Sequence, residues 1–323
     1  MNLFTKVTPW VVASLALLTT TFGQNNKVSE PKKANTTQNP MMPGYNASSA
    51  IAVNQGWDFF SSAAFTYWQA SNDNTVTEIT TPGQPNIAVL PNKEYKPGFE
   101  ITLGLNLNRD GWDTLTRYTW FRGTTLTINS LPPEGNQSFF SHGTYCSNKW
   151  RLHMDLLDWE IGRSYFVGSK LSFRPFMAAR AAWIRQYQHT VYTAENFVRN
   201  MTYSWGIGPR FGLKMDWMLG QGIRLFGDCG MDTLFTQYTT IFNRENNTSN
   251  EDGSFTHNQN VLRTHLDVEL GLGWGMYFAK DAYHVDLTAG YGFQTFFKNY
   301  LAGNTNIQDL YLQGLTITAR FDF

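Results

Sequence analysis

The chain has 323 residues, of which 42% are hydrophobic and 15% aromatic, and its 25 Lys and Arg are balanced by 25 Asp and Glu. This balance excludes a strongly basic protein of the kind that binds nucleic acid through net charge. Charged residues make up only 15% of the chain, against about 25% in ordinary soluble domains, which indicates a surface that is not wholly in water. Two cysteines, Cys146 and Cys229, are too few for a disulfide framework, and their pairing stays open.

The first 23 residues have the pattern of an export signal. The positive segment MNLFTK precedes an eight-residue apolar run, Val11 to Leu18, and small residues follow at Thr21 and Gly23. The apolar run is far shorter than the ~20 residues of a spanning helix, which argues against a membrane anchor. We therefore predict a signal peptide at 1–23, followed at 24–55 by a polar tail that is rich in Asn and Pro and has no periodicity.

From residue 56 onward the apolar residues recur with a period of two. Between Leu262 and Phe278 one face is almost wholly apolar, while the other carries Arg263, Asp267, Glu269 and several glycines. Successive side chains of a strand point to opposite faces, so this stretch is a strand with one apolar face. No segment after the signal approaches ~18 consecutive apolar residues, so no spanning helix is predicted. Ten such strands are predicted, near 56–70, 97–109, 112–128, 148–162, 170–187, 201–216, 222–238, 261–278, 282–297 and 309–323.

The connections between these strands alternate in length. Bacterial transmembrane barrels have short periplasmic turns, longer extracellular loops and an even number of strands. The pattern therefore predicts an all-β fold, a transmembrane antiparallel up-and-down β-barrel at 56–323, with ten strands and both termini on the periplasmic side. Twelve strands is the alternative, if 41–55 or loop segments also pair. The longer connections are 71–96, 129–147, 188–200, 239–260 and 298–308, and the short ones are 109–111, 163–169, 217–221 and 279–282.

The last strand, LQGLTITARFDF, ends on alternating apolar residues and an aromatic one. It is similar to the C-terminal strand signature of bacterial outer-membrane barrels, which the barrel-assembly machinery reads during insertion. This similarity implies that Phe321 and Phe323 are the insertion signal. Closing a barrel also requires the last strand to pair with the first. The alternative is the last strand of a soluble sandwich.

Aromatic residues are expected to gather at the two membrane interfaces. They lie near the ends of the predicted strands. Those near the short turns are Trp112, Trp159, Trp217, Phe278 and Tyr283, and those nearer the loops are Trp68, Trp150, Trp183, Trp205 and Tyr238.

The segment at 157–186, LDWEIGRSYFVGSKLSFRPFMAARAAWIRQ, joins an acidic-apolar-Gly-Arg strand end to a turn, a Leu-Ser-x-Arg-Pro motif and a Trp-Ile pair. It resembles the pore-forming major outer membrane protein family typified by Legionella, which also has members in chlamydia-related bacteria. The resemblance extends more weakly from about Gly56 to Phe323. It implies an abundant, multi-pass protein of the outer membrane of a Gram-negative bacterium that acts as a general diffusion pore.

The polar faces of the predicted fifth to ninth strands carry charged residues, basic ones on strands five to seven and acidic ones on strands seven to nine. Charged walls of this kind set the selectivity of pores, but an internal salt-bridge network that fills a narrow barrel gives the same pattern. Both interpretations stay open. The predicted pore-lining residues are Arg174, Arg180, Arg210, Lys214, Arg224, Asp228, Asp232, Asp267, Glu269 and Asp286.

The glycines and prolines within the predicted strands lead to two further predictions. Inward glycines such as Gly212, Gly273 and Gly290 either widen the lumen or permit sheet curvature at corners. Pro175 and Pro209 lack a ladder donor, so local bulges are expected there.

The sequence predicts a porin for passive diffusion of small hydrophilic solutes. The alternative is a narrow or closed barrel that acts as an adhesin or structural envelope protein through its extracellular loops. An enzyme is not predicted, because the pairs His265–Asp267 and His284–Asp286 lie inside a strand and near a short turn, not at the extracellular rim. No cofactor, metal or nucleic acid is predicted. The expected partners are outer-membrane lipid, the barrel-assembly machinery and the solutes, while the oligomeric state, including a homo-oligomer, and the solute stay open.

Overall fold

The structure is a computed structural model that describes residues 51, 53, 59–72, 77–79, 87–89, 94–107, 111–130, 145–191, 197–247, 250–256, 259–299 and 308–323. The predicted signal peptide at 1–23 lies outside the described residues, as does the tail at 24–55 apart from two positions. The described ranges contain only strands, turns and irregular segments, and so include no helix of the length and hydrophobicity needed to cross a membrane.

Ten long strands form the body of the fold, as the period of two predicts. They are Phe59–Asn72 (β1), Tyr95–Asn106 (β2), Trp112–Ser130 (β3), Tyr145–Arg163 (β4), Leu171–Val191 (β5), Phe197–Gly220 (β6), Ile223–Asn247 (β7), Gln259–Phe278 (β8), Tyr283–Asn299 (β9) and Gln308–Asp322 (β10).

Each long strand pairs antiparallel with the next along the chain, and β10 pairs with β1, so the sheet closes into a barrel. The closing register runs from Phe60 opposite Asp322 to Asn72 opposite Leu310. The predicted ten-stranded barrel is confirmed, and the alternative of twelve is not. Four short strands stand outside the closure: Thr77–Ile79 and Ile87–Val89 form a separate hairpin, Asn250–Thr256 adds to β7, and Tyr165–Val167 adds to β5.

The short connections all lie at one end of the barrel, here called the turn end, and the long ones lie at the opposite, loop end. All four turns use left-handed backbone, with Gly111 at φ 71° and Gly168 at φ 66° in the turns before β3 and β5. Gly220, Gln221 and Gly222 have φ of 135°, 54° and 76°, and the turn after β8 places Ala279 to Asp281 at φ of 53° to 64°. These conformations reverse the chain within a few residues, which holds the turn end compact.

The wall of the barrel is taller on one side. A transmembrane strand needs about 9–11 tilted residues, yet β3 and β4 have 19 each, β5 has 21, β6 has 24 and β7 has 25. At the opposite side, β1, β2 and β10 have only 14, 12 and 15 residues. We call the loop-end halves of β3 to β7 the raised wall, because they extend beyond the length that a membrane layer requires.

The outward face is apolar along the middle of the barrel. Phe65, Met177, Phe211 and Leu270 are each 52–60% exposed. Such a band is typical of a surface in contact with lipid. The band is flanked by outward aromatic residues: Trp112, Trp159, Trp217 and Tyr283 toward the turn end, and Trp183 and Trp205 toward the loop end.

The prediction that all loop-end aromatics lie at the membrane interface is wrong for three of them. Trp68, Trp150 and Tyr238 point inward and are 1–4% exposed. The reason is that they lie where the barrel interior is packed with apolar side chains, so an inward aromatic ring is buried there by protein.

The bulges expected at the two prolines are also absent from the pairing. The register between β5 and β6 runs without a shift through Pro175 and Pro209. Pro175 lies opposite Leu213 on the β6 side, whereas the pairing of β5 with β4 ends at Phe176, so no β4 residue pairs with the proline. The register shifts lie elsewhere: in the β6–β7 ladder at Ile223/Arg224 and Tyr238/Thr240, in the β9–β10 ladder between Phe296 and Asn299, and where Asn250–Thr256 adds to β7.

The C-terminal aromatics lie on the outer face of the closing strands. The backbone N–H of Phe323 donates to the carbonyl of Phe59 at 3.0 Å, and the two rings are 5.6 Å apart. Phe321 lies 4.5 Å from the Phe323 ring and 5.8 Å from Tyr283. An insertion-signal role for Phe321 and Phe323 stays a prediction.

Candidate functional site in the barrel interior

Two layers of side chains fill the interior. The ion-paired residues occupy the half nearer the turn end, and the half nearer the loop end is mostly apolar. The buried Arg263 is the exception: it lies opposite Leu234 in the β7–β8 register and over the ring of Tyr238 at 5.1 Å. In a barrel made of one closed sheet, a buried side chain must point into the interior. Many of these interior side chains contact residues on strands that are not neighbours in the sheet.

Arg180 lies at the centre of the charged layer. Its Nε and Nη2 donate to the two carboxylate oxygens of Asp158 at 2.6 and 2.7 Å. Its Nη1 lies 2.8 Å from Asp232 Oδ2 and 2.9 Å from His265 Nδ1, which reach it from β7 and β8. All four groups are nearly or fully buried. A buried arginine held this way is satisfied on every side that faces the lumen.

Arg210 forms the next part of the same network. It binds both carboxylate oxygens of Asp267 on β8, with Nη2 at 2.8 Å from Oδ2, and contacts Asp232 at 3.4 Å. His265 lies 2.8 Å from Asp232. Asp232, His265 and Asp267 converge closely enough to suggest a cation site. Both carboxylates are already paired with arginines, so a metal ion would face two guanidinium groups and we assign none.

The carboxylate of Glu160 on β4 forms ion pairs with three basic residues, which come from β3, β5 and β6. Arg174 Nη1 lies at 3.2 Å, Lys214 Nζ at 3.3 Å and Arg117 Nη2 at 3.5 Å from its carboxylate. Arg174 also donates from its Nε and Nη2 to the two carboxylate oxygens of Asp113. The carboxylate of Glu160 is fully buried, which it tolerates because of these positive neighbours.

Toward the turn end, Arg224 bridges Asp216 and Asp286. Its Nε lies 2.8 Å from Asp216, and its two terminal nitrogens bind the carboxylate of Asp286 on β9, one of them at 2.7 Å. Asp228 lies 3.6 Å from Lys214 and directly opposite Glu269 in the β7–β8 register.

All ten residues predicted to line a pore point into the interior. The predicted separation of basic and acidic walls is not kept, because the arginines reach across the lumen and pair with the acids. The arrangement matches the internal salt-bridge network that the sequence left open, and a pore-lining role stays a prediction. The sequence analysis missed network members on β3, β4 and β6, which the same alternation on these strands could have indicated: Asp113, Arg117, Asp158, Glu160 and Asp216.

Inward glycines accommodate the large side chains of this layer. A Cβ built on Gly162 would lie 2.4 Å from the Arg174 guanidinium, and one on Gly230 would lie 2.2 Å from that of Arg210. Gly273 lies under Arg224 in the same way. These three glycines therefore make room for the arginine side chains of the charged layer.

Above the charged layer lies an apolar plug, defined as the cluster of buried apolar side chains near the loop end. Seven of the ten strands contribute to it, and no member is more than 5% exposed. The ring of Phe296 lies 4.0 Å from that of His265, so the plug rests directly on the charged layer. The members are Trp68, Ala70, Phe121, Trp150, Leu152, Met154, Leu156, Ala182, Ile184, Leu234, Phe296, Leu310 and Leu312.

The polarity of the wall inverts along β4 at the height of the plug. Near the turn end, Trp159 faces outward at 51% exposure and Asp158 is buried inside. Near the loop end, Leu152 is buried inside, whereas Arg151 and His153 are exposed outside. The alternation keeps its phase, so the change marks the height at which the outer surface passes from an apolar to an aqueous environment.

A small cavity remains between the two layers. About 40 Å³ is available there to the centres of water molecules, which is room for about three waters at 10–15 Å³ each. Its charged lining includes Glu100, Arg117, Asp228, Asp267 and Glu269.

A closed antiparallel barrel with an apolar outer band, aromatic borders and short turns at one end is the architecture of an outer-membrane β-barrel protein. The chain matches, over residues 51–323, the family model described as the Legionella pneumophila major outer membrane protein precursor. The chain belongs to this family. It is therefore a multi-pass outer-membrane protein, the turn end is periplasmic and the loop end is extracellular.

Solved structures with a similar fold are also outer-membrane barrels. The outer membrane protease OmpT from Escherichia coli aligns with a TM-score of 0.47 and 8% identity, over 85% of this chain and 99% of its own. Neisserial surface protein A aligns with a TM-score of 0.29 and 13% identity, over 84% and 100%. The toluene transporter TodX of Pseudomonas putida aligns with a TM-score of 0.24 and 8% identity, over 84% and 91%. These likenesses are too distant to carry an argument about function, and the curated proteins gave no match.

Proposed function

We propose that this protein is a closed outer-membrane barrel whose function lies at its extracellular surface, as an adhesin or a structural component of the envelope. The observation that carries the proposal is the apolar plug. Its side chains come from seven strands around the barrel and are 0–5% exposed, so they leave no passage for a hydrated solute at that height.

The charged layer closes the other half of the lumen. Arg180, Arg210 and Arg224 each bridge strands that are not neighbours, and the cavity between the two layers has room for about three waters. Barrels of about eight strands have an interior just wide enough for side chains to fill. Ten strands with large inward side chains are close to this limit.

The raised wall supports a role at the surface. With a rise of ~3.3 Å per residue and a tilt of ~45°, the 25 residues of β7 span roughly 58 Å along the barrel axis, whereas the apolar band of such barrels is only ~25 Å tall. Strands β3 to β7 therefore hold folded sheet well above the membrane. A protein that only needs to cross the membrane does not require this extension.

No catalytic role is part of the proposal. Two His–Asp pairs lie in the described interior, His265 with Asp232 at 2.8 Å and His284 with Asp322 at 2.9 Å. Their side chains are only 0–4% exposed, so neither pair offers a substrate an open approach. The proposal retains Phe321 and Phe323 as the signal read by the barrel-assembly machinery.

Single-channel recording in planar bilayers tests the proposal. The purified protein, shown to be folded by heat-modifiable mobility on gels, is expected to give no steady conductance steps, while a known porin recorded in parallel does. The porin function predicted from the sequence stays a prediction, and steady openings of the folded wild-type protein would support it and refute the closed barrel.

A variant with the plug reduced makes the test sharper. Trp68→Ala, Phe121→Ala and Phe296→Ala together remove three of the rings that fill the lumen, so this variant is expected to leak ions more than the wild type. If the wild type conducts and the variant conducts equally, ions pass by a route that the plug does not block, and the role given to the plug is wrong.

A further inference from the structure

A patch of basic side chains lies on the outer face of the raised wall. It comprises Arg122 on β3, Lys149 and Arg151 on β4, Arg185 on β5 and Arg199 on β6, and is called the basic patch below. Neither the closed lumen nor the family assignment accounts for it, and it does not depend on the proposed function.

The strand register places these residues in adjacent rows. Arg122 lies opposite His153, which lies opposite Arg185. Two residues further from the membrane, Arg151 lies opposite Tyr187.

In the next row, Lys149 lies opposite His189, which lies opposite Arg199. Strands are ~4.8 Å apart and rise ~3.3 Å per residue, so the five cations occupy an area of roughly 14 by 13 Å.

The patch has little internal neutralisation. Asp155 is the acid within it, and its carboxylate binds Arg122 at 2.9 and 3.0 Å. Among the residues that the structure describes, no carboxylate forms an ion pair with Arg151, Arg185 or Arg199. Five cations against one carboxylate attract a ligand with several negative charges.

Aromatic rings hold two of the guanidinium groups against the sheet. Arg151 lies over the ring of Tyr187 at 5.9 Å, and Arg185 lies over the ring of Tyr203 at 5.9 Å. Stacking on a ring leaves the donors of the guanidinium fork at its edges available to a planar or tetrahedral anion.

The position of the patch identifies the kind of anion. Trp183 lies opposite Trp205, and both face outward at 39% and 37% exposure. Such aromatic side chains mark the membrane interface. Arg185 is only two residues beyond Trp183 on the extracellular side. A lipid whose acyl chains pack on the apolar band therefore has its head group at the height of the patch.

We infer that the basic patch binds the phosphate groups of a phosphorylated glycolipid of the outer leaflet. Arginine recognises phosphate through paired hydrogen bonds, and basic clusters beside a membrane bind anionic head groups. The lipid contacts protein twice, through acyl chains on the apolar band and through phosphates on the patch. Bound lipids would then line the outer side of β3 to β6.

Binding of diphosphorylated lipid A to the detergent-purified full chain, measured by native mass spectrometry, tests this inference. The comparison lipids are dephosphorylated lipid A and phosphatidylcholine. We expect the diphosphorylated form to bind most tightly. Equal binding of the dephosphorylated lipid would overturn the inference, as would equal binding of inorganic phosphate, because the apolar band would then contribute nothing.

Two double variants separate the patch from general electrostatics. Arg151→Gln with Arg185→Gln is expected to weaken binding about 30-fold, because each cation near an anionic surface contributes about 5-fold. Lys170→Gln with Lys280→Gln removes the same charge from exposed positions at the turn end and is expected to change nothing.

Equal losses in both double variants would overturn the inference, and so would tighter binding of a soluble sulfated polysaccharide than of the lipid. Both double variants must first show the same heat-modifiable gel mobility as the wild type, which shows that they are folded. A third double variant, Arg151→Lys with Arg185→Lys, keeps both positive charges and is expected to recover most of the lipid binding. The conductance experiment does not depend on lipid binding to the patch, so the closed-barrel proposal and the lipid-binding inference can be refuted separately.

Discussion

Replacing Arg180 by methionine tests whether the charged layer stabilises the barrel. Asp158 has its described ion pair with Arg180 alone and its side chain is 1% exposed, whereas Asp232 keeps contacts with His265 and Arg210. Arg180→Met therefore leaves one buried carboxylate without a partner. Breaking a buried pair in this way costs about 3–5 kcal/mol of unfolding free energy.

Removing the stranded carboxylate as well should recover most of this loss. In Arg180→Met with Asp158→Leu, apolar side chains replace the pair, a change that is often neutral or stabilising. Asp232 still loses one charged hydrogen bond, worth about 1.5–3 kcal/mol. The double variant is therefore expected to be clearly more stable than the single variant, with a coupling energy of at least ~1 kcal/mol.

Reversible urea unfolding in lipid vesicles, followed by tryptophan fluorescence and extrapolated to zero urea, measures these free energies. In phosphatidylcholine vesicles, which offer the basic patch no net anionic head group, Arg185→Met is the matched control, since it removes an arginine from the exposed outer face of the same strand and should change stability by less than ~0.5 kcal/mol. If Arg180→Met lies within ~1 kcal/mol of wild type, or if adding Asp158→Leu brings no recovery, the charged layer is not a set of buried pairs and the reasoning is wrong.

Three further changes test other parts of the fold. Gly230→Ala is expected to cost about 1–3 kcal/mol of unfolding free energy, because its Cβ would lie 2.2 Å from a guanidinium nitrogen. The control is Gly292→Ala, whose Cβ would meet no atom closer than 3.6 Å. Equal stability of the two variants would contradict the expected clash. Phe121→Ala should cost about 3–5 kcal/mol, whereas Leu126→Ala, on the outer face of the same strand at 43% exposure, should cost far less in the same urea titration. Cys229 is free and exposed in the middle of β7, so a nitroxide spin label can be attached there once the other cysteine is replaced by serine. In vesicles the label should be accessible to oxygen and shielded from a water-soluble relaxation agent. The reverse accessibility would place the apolar band in water.

The sequence was sufficient to predict the ten strands, their closure and the inward position of the charged residues. Each of these depends only on the period of two and on the lengths of the connections. Leu262 to Phe278 illustrates this, since β8 ends at Phe278 and its apolar residues Leu266, Leu270 and Leu272 are all exposed on the outer face.

The pairing inside the barrel could not be predicted in the same way. Which inward residues meet depends on the stagger between strands, so Arg180 and Asp232 come together across β6 without any sequence spacing that indicates it. The plug was missed for another reason. In the segment WRLHMDL at 150–156 the inward residues are apolar and the outward ones polar, and a period of two is the same whichever face is apolar.

The junction of β1 and β10 has a consequence for biogenesis. The amides of Gln69 and Gln313, 244 residues apart, hydrogen bond at 2.9 Å across it. Until the ladder between β1 and β10 forms, both edges present unpaired backbone groups, each of which costs several kcal/mol in hydrocarbon. A half-made barrel is thus unstable in the bilayer, so synthesis and export of the whole polypeptide must precede its insertion, and an escort must keep the unfolded chain from aggregating on the way.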